Sequence, residues 1–198
     1  MDAARQAGLA VKIDRWVLLT AIKQLAEHQA QGHNTRLLIH LSDASLQYAS
    51  LLPWLATVLK AARLPAGSLV LQLREADAVS YLKQAKALAD GLHALQCQVA
   101  LVQFGCALNP LNTLRHLDAD YVKLDASFTR ELGQPEQLEG IKTLLTSLHD
   151  QGRLSIMPAV ESASALPSLW QAGVNYIQGH YLQIPAAAMN YDFAAGEE

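Results

Sequence analysis

Apolar positions along this chain alternate between two spacings. Short apolar runs of four to six residues, the mark of buried strands, are separated by longer segments in which apolar residues return every three or four positions, the mark of helices. The first helical segment runs from Asp14 to about Gly32, with Asp14 as a candidate cap and Trp16, Leu19, Ile22 and Leu25 recurring at intervals of three. A strand over Arg36 to Leu41 follows, then a helix over Leu51 to Ala62. The pattern continues with strands at Ser68–Leu73, Cys97–Val102, Asp120–Leu124, Leu154–Met157 and Asn175–Ile177. Helices at Ala76–Leu95, Leu111–Leu117, Gln137–Asp150 and Ala163–Ala172 separate them.

Six strands alternating with helices imply parallel pairing through crossover connections, in an open doubly wound sheet or a barrel. No Gly-rich phosphate fingerprint follows the first strand, which disfavours a dinucleotide-binding open sheet. Gln103, Lys123, Asp125, Glu161 and Gln178 all fall at or just past strand ends, where a βα barrel builds its site. The barrel is therefore the better fit.

One strand is chemically distinctive. In Tyr121-Val122-Lys123-Leu124-Asp125 the two charged residues are two apart and share a face, while Val122 and Leu124 share the other. On a sheet buried by helices, such a lysine and carboxylate need each other or a ligand. A structural ion pair satisfies the pattern as well as a binding site does.

Composition narrows the classes. The chain has 198 residues, 51% of them apolar, which suits one domain with a large core. With 15 basic and 18 acidic residues, a formal net charge of −3 and no basic stripe, long nucleic acid is not an expected partner. Cys97 and Cys106 lack metal-ligand spacing and fit a reducing, cytoplasmic setting. No apolar run reaches membrane-spanning length and the N-terminus lacks a signal-peptide core, so no membrane insertion is expected.

The order Phe104-Gly105, Leu111, then Leu117 through Phe128 resembles the "DDFGTGYSSL…LPVDYLKIDRSFV" core of EAL domains, which hydrolyse or bind cyclic di-GMP. Val160-Glu161-Ser162 resembles their "AEGVET", and Gln178-Gly179-His180-Tyr181-Leu182 with Pro185 resembles "QGYLFSKP". Leu38-Ile39-His40-Leu41-Ser42 falls where the family has "INLS", and Gln72-Leu73-Arg74-Glu75 where it has "EITE". Degenerate FimX-type EAL domains are similar through Lys12-Ile13-Asp14-Arg15-Trp16, Val160 to Leu166 and Met189 to Phe193. The resemblance implies a modified (β/α)8, TIM-like barrel. The Glu-Ala-Leu segment itself would lie upstream of Asp14, and these residues hold no such tripeptide there. The expectation is a single partial EAL-like domain over 1–198, incomplete with about six βα units, with residues 1–13 a lead-in and 186–198 a tail. The strands flanking the gap would then be open edges, covered by residues 1 to 13, a second copy of the chain or another strand pairing, with a homodimer as one outcome.

Hydrolysis in this family uses a divalent pair, which needs carboxylate and carbonyl oxygens at close range. By the resemblance, His40, Gln72, Val102, Gln103 and Pro158 stand at ligand positions, leaving only Lys123, Asp125 and Glu75 as catalytic remnants, with Glu75 at the place of a loop-anchoring glutamate. No catalytic set, metal site or cofactor is therefore expected. Recognition needs no metal: Glu161 suits the N1 and N2 edge of guanine, and Gln178, with Gly179 and Pro185, suits the pocket rim. Asp14 matches an aspartate that contacts nucleotide in FimX-type receptors; a helix cap is its plainer role. His28, His33, His93, His116 and His149 are expected on the surface. The resulting expectation is a catalytically degenerate cyclic di-GMP receptor in type IV pilus and twitching-motility signalling, with a PilZ-domain protein as partner. An active phosphodiesterase, or an interaction module with a vestigial pocket, are the alternatives.

Overall fold

The computed structural model describes residues 7–132 and 134–189; the lead-in before residue 7 and the Asn190 to Phe193 part of the FimX-like match lie outside them. Helix α1 (Ala10–Ala30) leads into strand β1 (Leu37–His40), and the short helix α2 (Asp43–Leu46) and α3 (Leu51–Ala62) follow. Then come β2 (Leu69–Arg74), α4 (Glu75–Ser80), α5 (Leu82–Ala94), β3 (Gln98–Phe104) and α6 (Pro110–His116). The chain continues through β4 (Tyr121–Leu124), α7 (Ala126–Glu131), α8 (Pro135–Asp150), β5 (Leu154–Met157), α9 (Leu166–Ala172) and β6 (Tyr176–Ile177).

All neighbouring strands pair in parallel, and their order across the sheet is their order along the chain. A doubly wound sheet reverses direction at a switch point, whereas a barrel winds one way. The curled six-stranded sheet is accordingly a half-barrel. Its outward residues, among them Ile39, Leu71, Leu73, Val99, Leu101, Val122 and Met157, pack with the helices into the main core. The inner face carries a small second layer of Val70, Ala100, Tyr121 and Ile156. Among the described residues β1 and β6 each pair on one side only, which gives the sheet two edges. There the inward-facing Leu38 and Tyr176 remain 38% and 46% exposed. Edge groups near them therefore reach water, not core depth. Residues 10–13, expected among those that might cover the gap, instead form the first turn of α1.

Three local expectations change. Helix α1 starts four residues before Asp14, its cap position is Leu9, and Asp14 lies inside the helix. The buried stripe is Ala10, Asp14, Leu18, Ile22 and Leu25, whereas Trp16 and Leu19 are 66% and 51% exposed. Intervals of three slip behind a 3.6-residue turn, so a stripe that stays on one face needs mostly fours. The helix expected over Ala76–Leu95 is broken at Tyr81 (φ −126°, ψ 45°). Helix α7, unforeseen, is capped by Asp125, whose Oδ1 accepts from Ser127 N–H at 3.0 Å.

The lower, N-terminal ends of the strands are stapled by a repeated device. Asp120, just before β4, accepts from Val99 N–H of β3 at 2.8 Å and pairs with His93 Nε2 at 2.9 Å. Asn175, just before β6, accepts through Oδ1 from Ser155 N–H of β5 at 2.7 Å and from His149 Nε2 at 2.9 Å. Thus His93 and His149 are clasp residues, half-buried, and not free surface groups. The histidines close their helices, where the exposed carbonyl ends favour such side chains. We predict that Asp120→Ala costs about 2 kcal/mol in urea unfolding, because Val99 N–H and His93 lose a shared acceptor; a loss below about 0.5 kcal/mol would count against the staple.

Candidate functional site

The upper rim is where the sequence placed its chemistry, and each strand delivers one side chain to it. His40 ends β1, Gln72 lies near the end of β2, Asp125 follows β4, Pro158 follows β5 and Gln178 follows β6. Between β3 and β4 the register shifts by one residue between Leu101 and Phe104, and Gln103 there takes a left-handed φ of 53°. Such bulges at barrel rims redirect side chains: Val102 is turned into the core and Gln103 out to solvent.

Glu75 opens α4 and is 1% exposed. Its Oε2 accepts from the N–H groups of Gly105, Cys106 and Ala107 at 3.0, 3.2 and 3.2 Å, so one carboxylate oxygen holds the loop after β3. Gly105 is needed there: its φ is +99°, and a Cβ would fall 2.7 Å from the Phe128 ring.

Lys123 and Asp125 do not pair. Lys123 Nζ donates to Gln178 Oε1 at 3.1 Å across the bowl, and removal from water lowers its pKa. Asp125 is committed to capping α7, and the Ser127 amide holds its carboxyl below the usual range. His40 is pushed down mainly by desolvation and then by the Arg74 guanidinium, with the Asp14 and Asp77 carboxylates pulling the other way. Cys106 is raised, first by desolvation and then by the negative charge of Asp125. Among the described residues no three His, Cys, Asp or Glu side chains gather closely enough to hold a metal ion.

A cleft of about 1020 Å³ runs between the chain after β5 and β6 and the start of β1. Glu161, Gln178, Gly179 and Pro185 all line it, together with His180. The backbone forms this wall by itself: Val160 N–H donates to Gln178 O at 3.0 Å and Tyr181 N–H to Val160 O at 3.1 Å. A Cβ on Gly179 would lie 2.0 Å from Val160 O, so only glycine permits the approach. Glu161 is 3.4 Å from His180 Nδ1, an open pair that leaves most of both side chains in solvent. His180 lies inside the stretch that resembles "QGYLFSKP" but was not among the expected site residues. Lys123 and Gln178, with Gln72 and Arg36, line a second concavity of about 640 Å³ on the inner face. Asp14, Glu75 and Asp125 line neither. Asp14 is instead 3% exposed and bonded to Ser42, a partner the sequence did not suggest.

Among the described residues no helix is long and apolar enough to cross a membrane. The family model for the EAL domain matches residues 1–185. A crystal structure of the FimX EAL domain from Pseudomonas aeruginosa bound to c-di-GMP is 59% identical, with a TM-score of 0.92, over 98% of this chain and 78% of that one. The Xanthomonas citri FimX EAL domain in complex with c-diGMP is 30% identical, with a TM-score of 0.92, over 98% of this chain and 77% of that one. The cyclic di-GMP phosphodiesterase PdeF of Escherichia coli (strain K12) is 25% identical over 93% of this chain. The chain spans only 25% of PdeF, about a quarter of that relative's length.

We predict that Glu75→Gln, which weakens a charged acceptor serving three amides, speeds hydrogen exchange at residues 105–107 by about tenfold while leaving β2 protected. Unaltered exchange at all three amides would show that the loop is held by something else.

Proposed function

The chain belongs to the EAL domain family, and from that premise we propose that it is a cyclic di-GMP receptor module that binds the nucleotide without hydrolysing it. The observation that carries this reading is the single cleft in which Glu161, Gln178, Gly179 and Pro185 converge. Glu161, open to solvent and near the cleft wall, offers a carboxylate to the two N–H donors on the guanine edge. Gln178 offers both a donor and an acceptor. The two FimX domains, which share the fold, are bound to that nucleotide.

The donor set at the strand ends supports binding over hydrolysis. A pair of hard divalent cations in this family would need several carboxylate oxygens pointing inward. By the resemblance, His40, Gln72, Val102, Gln103 and Pro158 stand at those places. Of the charged groups that remain, Asp125 caps a helix and Lys123 is bonded to Gln178. The residues present do not fit the metal pair. Titration with cyclic di-GMP should give saturable binding, Glu161→Ala should weaken it by about 1–3 kcal/mol, and no linear pGpG should form with magnesium or manganese. Product above a buffer control would favour an active phosphodiesterase instead. Absence of any binding would favour an interaction module with a vestigial pocket.

The likeness to FimX-type proteins extends the proposal to type IV pilus and twitching-motility signalling in the cytoplasm, with a PilZ-domain protein as partner. A homodimer that pairs the sheet edges at β1 and β6 is one possible assembly within this proposal. Light scattering of the purified chain reads the second point directly, and a monodisperse monomer at micromolar concentration would remove it.

A further inference from the structure

A hydroxyl inside a helix commonly bonds the carbonyl four residues back on the same helix. Thr57, Ser80, Thr143 and Ser147 all do so here. Thr129 on α7 does not: its Oγ–H leaves the helix and donates to Pro158 O, in the segment that follows β5. That bond lands one residue before a strained point, because Ala159 takes a left-handed φ of 56°, which a residue with a Cβ disfavours. Just past Ala159, Val160 N–H donates to Gln178 O at 3.0 Å and Val160 O accepts from Tyr181 N–H at 3.1 Å. Ala159 is thus pinned on both sides, and Glu161 leaves the segment immediately after the second pin. Pro158, Ala159 and Glu161 all line the larger cleft.

We propose that Thr129 is a positioning residue for the nucleotide site, acting on Glu161 through the Pro158–Ala159 peptide. This rests on the receptor reading given above. That peptide is planar, so its orientation is set by ψ of Pro158 and φ of Ala159, and holding its oxygen restrains both. Without the bond the unfavourable φ of Ala159 loses a restraint, and the peptide can turn toward the right-handed basin and re-aim the chain entering Glu161. The threonine is itself held. Asp125 caps the start of α7, and the ring of the neighbouring Phe128 lies so near Gly105 that a Cβ there would fall 2.7 Å from it. Thr129 lines neither cleft and acts only through a carbonyl whose residue does. A loop held in place before the ligand arrives removes an ordering cost from binding.

The test is calorimetric titration with cyclic di-GMP, alongside thermal unfolding of each protein. Thr129→Val, which replaces the hydroxyl by a methyl of similar shape, should weaken binding about fivefold, within the range of one neutral hydrogen bond. Thr129→Ser, which keeps the hydroxyl, should bind within about twofold of the unsubstituted chain. In a Glu161→Ala background Thr129→Val should add nothing, because the group it positions is gone. In an Ala159→Gly background its effect should shrink to less than about twofold, because glycine takes the left-handed φ without help. If Thr129→Val does not fold, Thr129→Ala removes the same hydroxyl with a better helix former and should show the same loss. Undiminished binding without the hydroxyl, an equal loss in Thr129→Ser, or the full loss in either background overturns the proposal and leaves the receptor reading intact. Lack of binding by the unsubstituted chain overturns both.

Discussion

The ladder of hydrogen bonds that joins six parallel strands in chain order is the constraint on which the rest of the structure depends. Parallel pairing sends every strand end to the same side, and sequential order places consecutive strand ends side by side. With the helices on the outer face only, the inner face and the upper rim are left for polar groups. The meeting of residues as distant in sequence as Lys123 and Gln178, 3.1 Å apart, follows from that geometry and not from any local motif.

Within the ladder, backbone and side chains divide the work. The wall of the larger cleft is made by main-chain bonds between Val160 and the turn after β6, and a glycine lets the two segments touch. Away from that cleft, the loop after β3 and the helix after β4 are held by carboxylates whose charge is already engaged: Glu75 on three amides and Asp125 on a helix start. Glu161 differs because it stands in solvent beside His180. A charge that the fold does not use is the kind available to a ligand.

The alternation of strands and helices was legible in the chain, and the bounds of α3 coincide with its apolar spacing because Leu51 and Leu55 recur at a full helical turn. What escaped sequence reading had specific causes. The phase of α1 was misjudged because Trp16 and Leu19 are apolar yet lie outside, while the buried stripe, at intervals of four from Ala10 to Ile22, includes an aspartate. The pairing of Lys123 with Asp125 looked natural from their spacing, but a carboxylate directly before a helix is captured by the helix start. The partnership of Asp14 with Ser42 and the clasps at His93 and His149 join residues far apart in sequence. No periodicity carries such information, since only the closed tertiary arrangement brings those atoms together.

The stapling of the lower strand ends has a bearing on how such a domain changes over generations. The clasp of a helix-ending histidine, an aspartate or asparagine and a strand amide appears at β3 with β4 and again at β5 with β6, on the side of the sheet away from the rim. Stability secured there is independent of what the opposite ends carry. Substitutions at His40, Gln72, Gln103 or Pro158 can accumulate without unravelling the sheet, so a scaffold of this build is free to exchange one chemistry for another, or to give up chemistry and keep recognition, while remaining the same folded object.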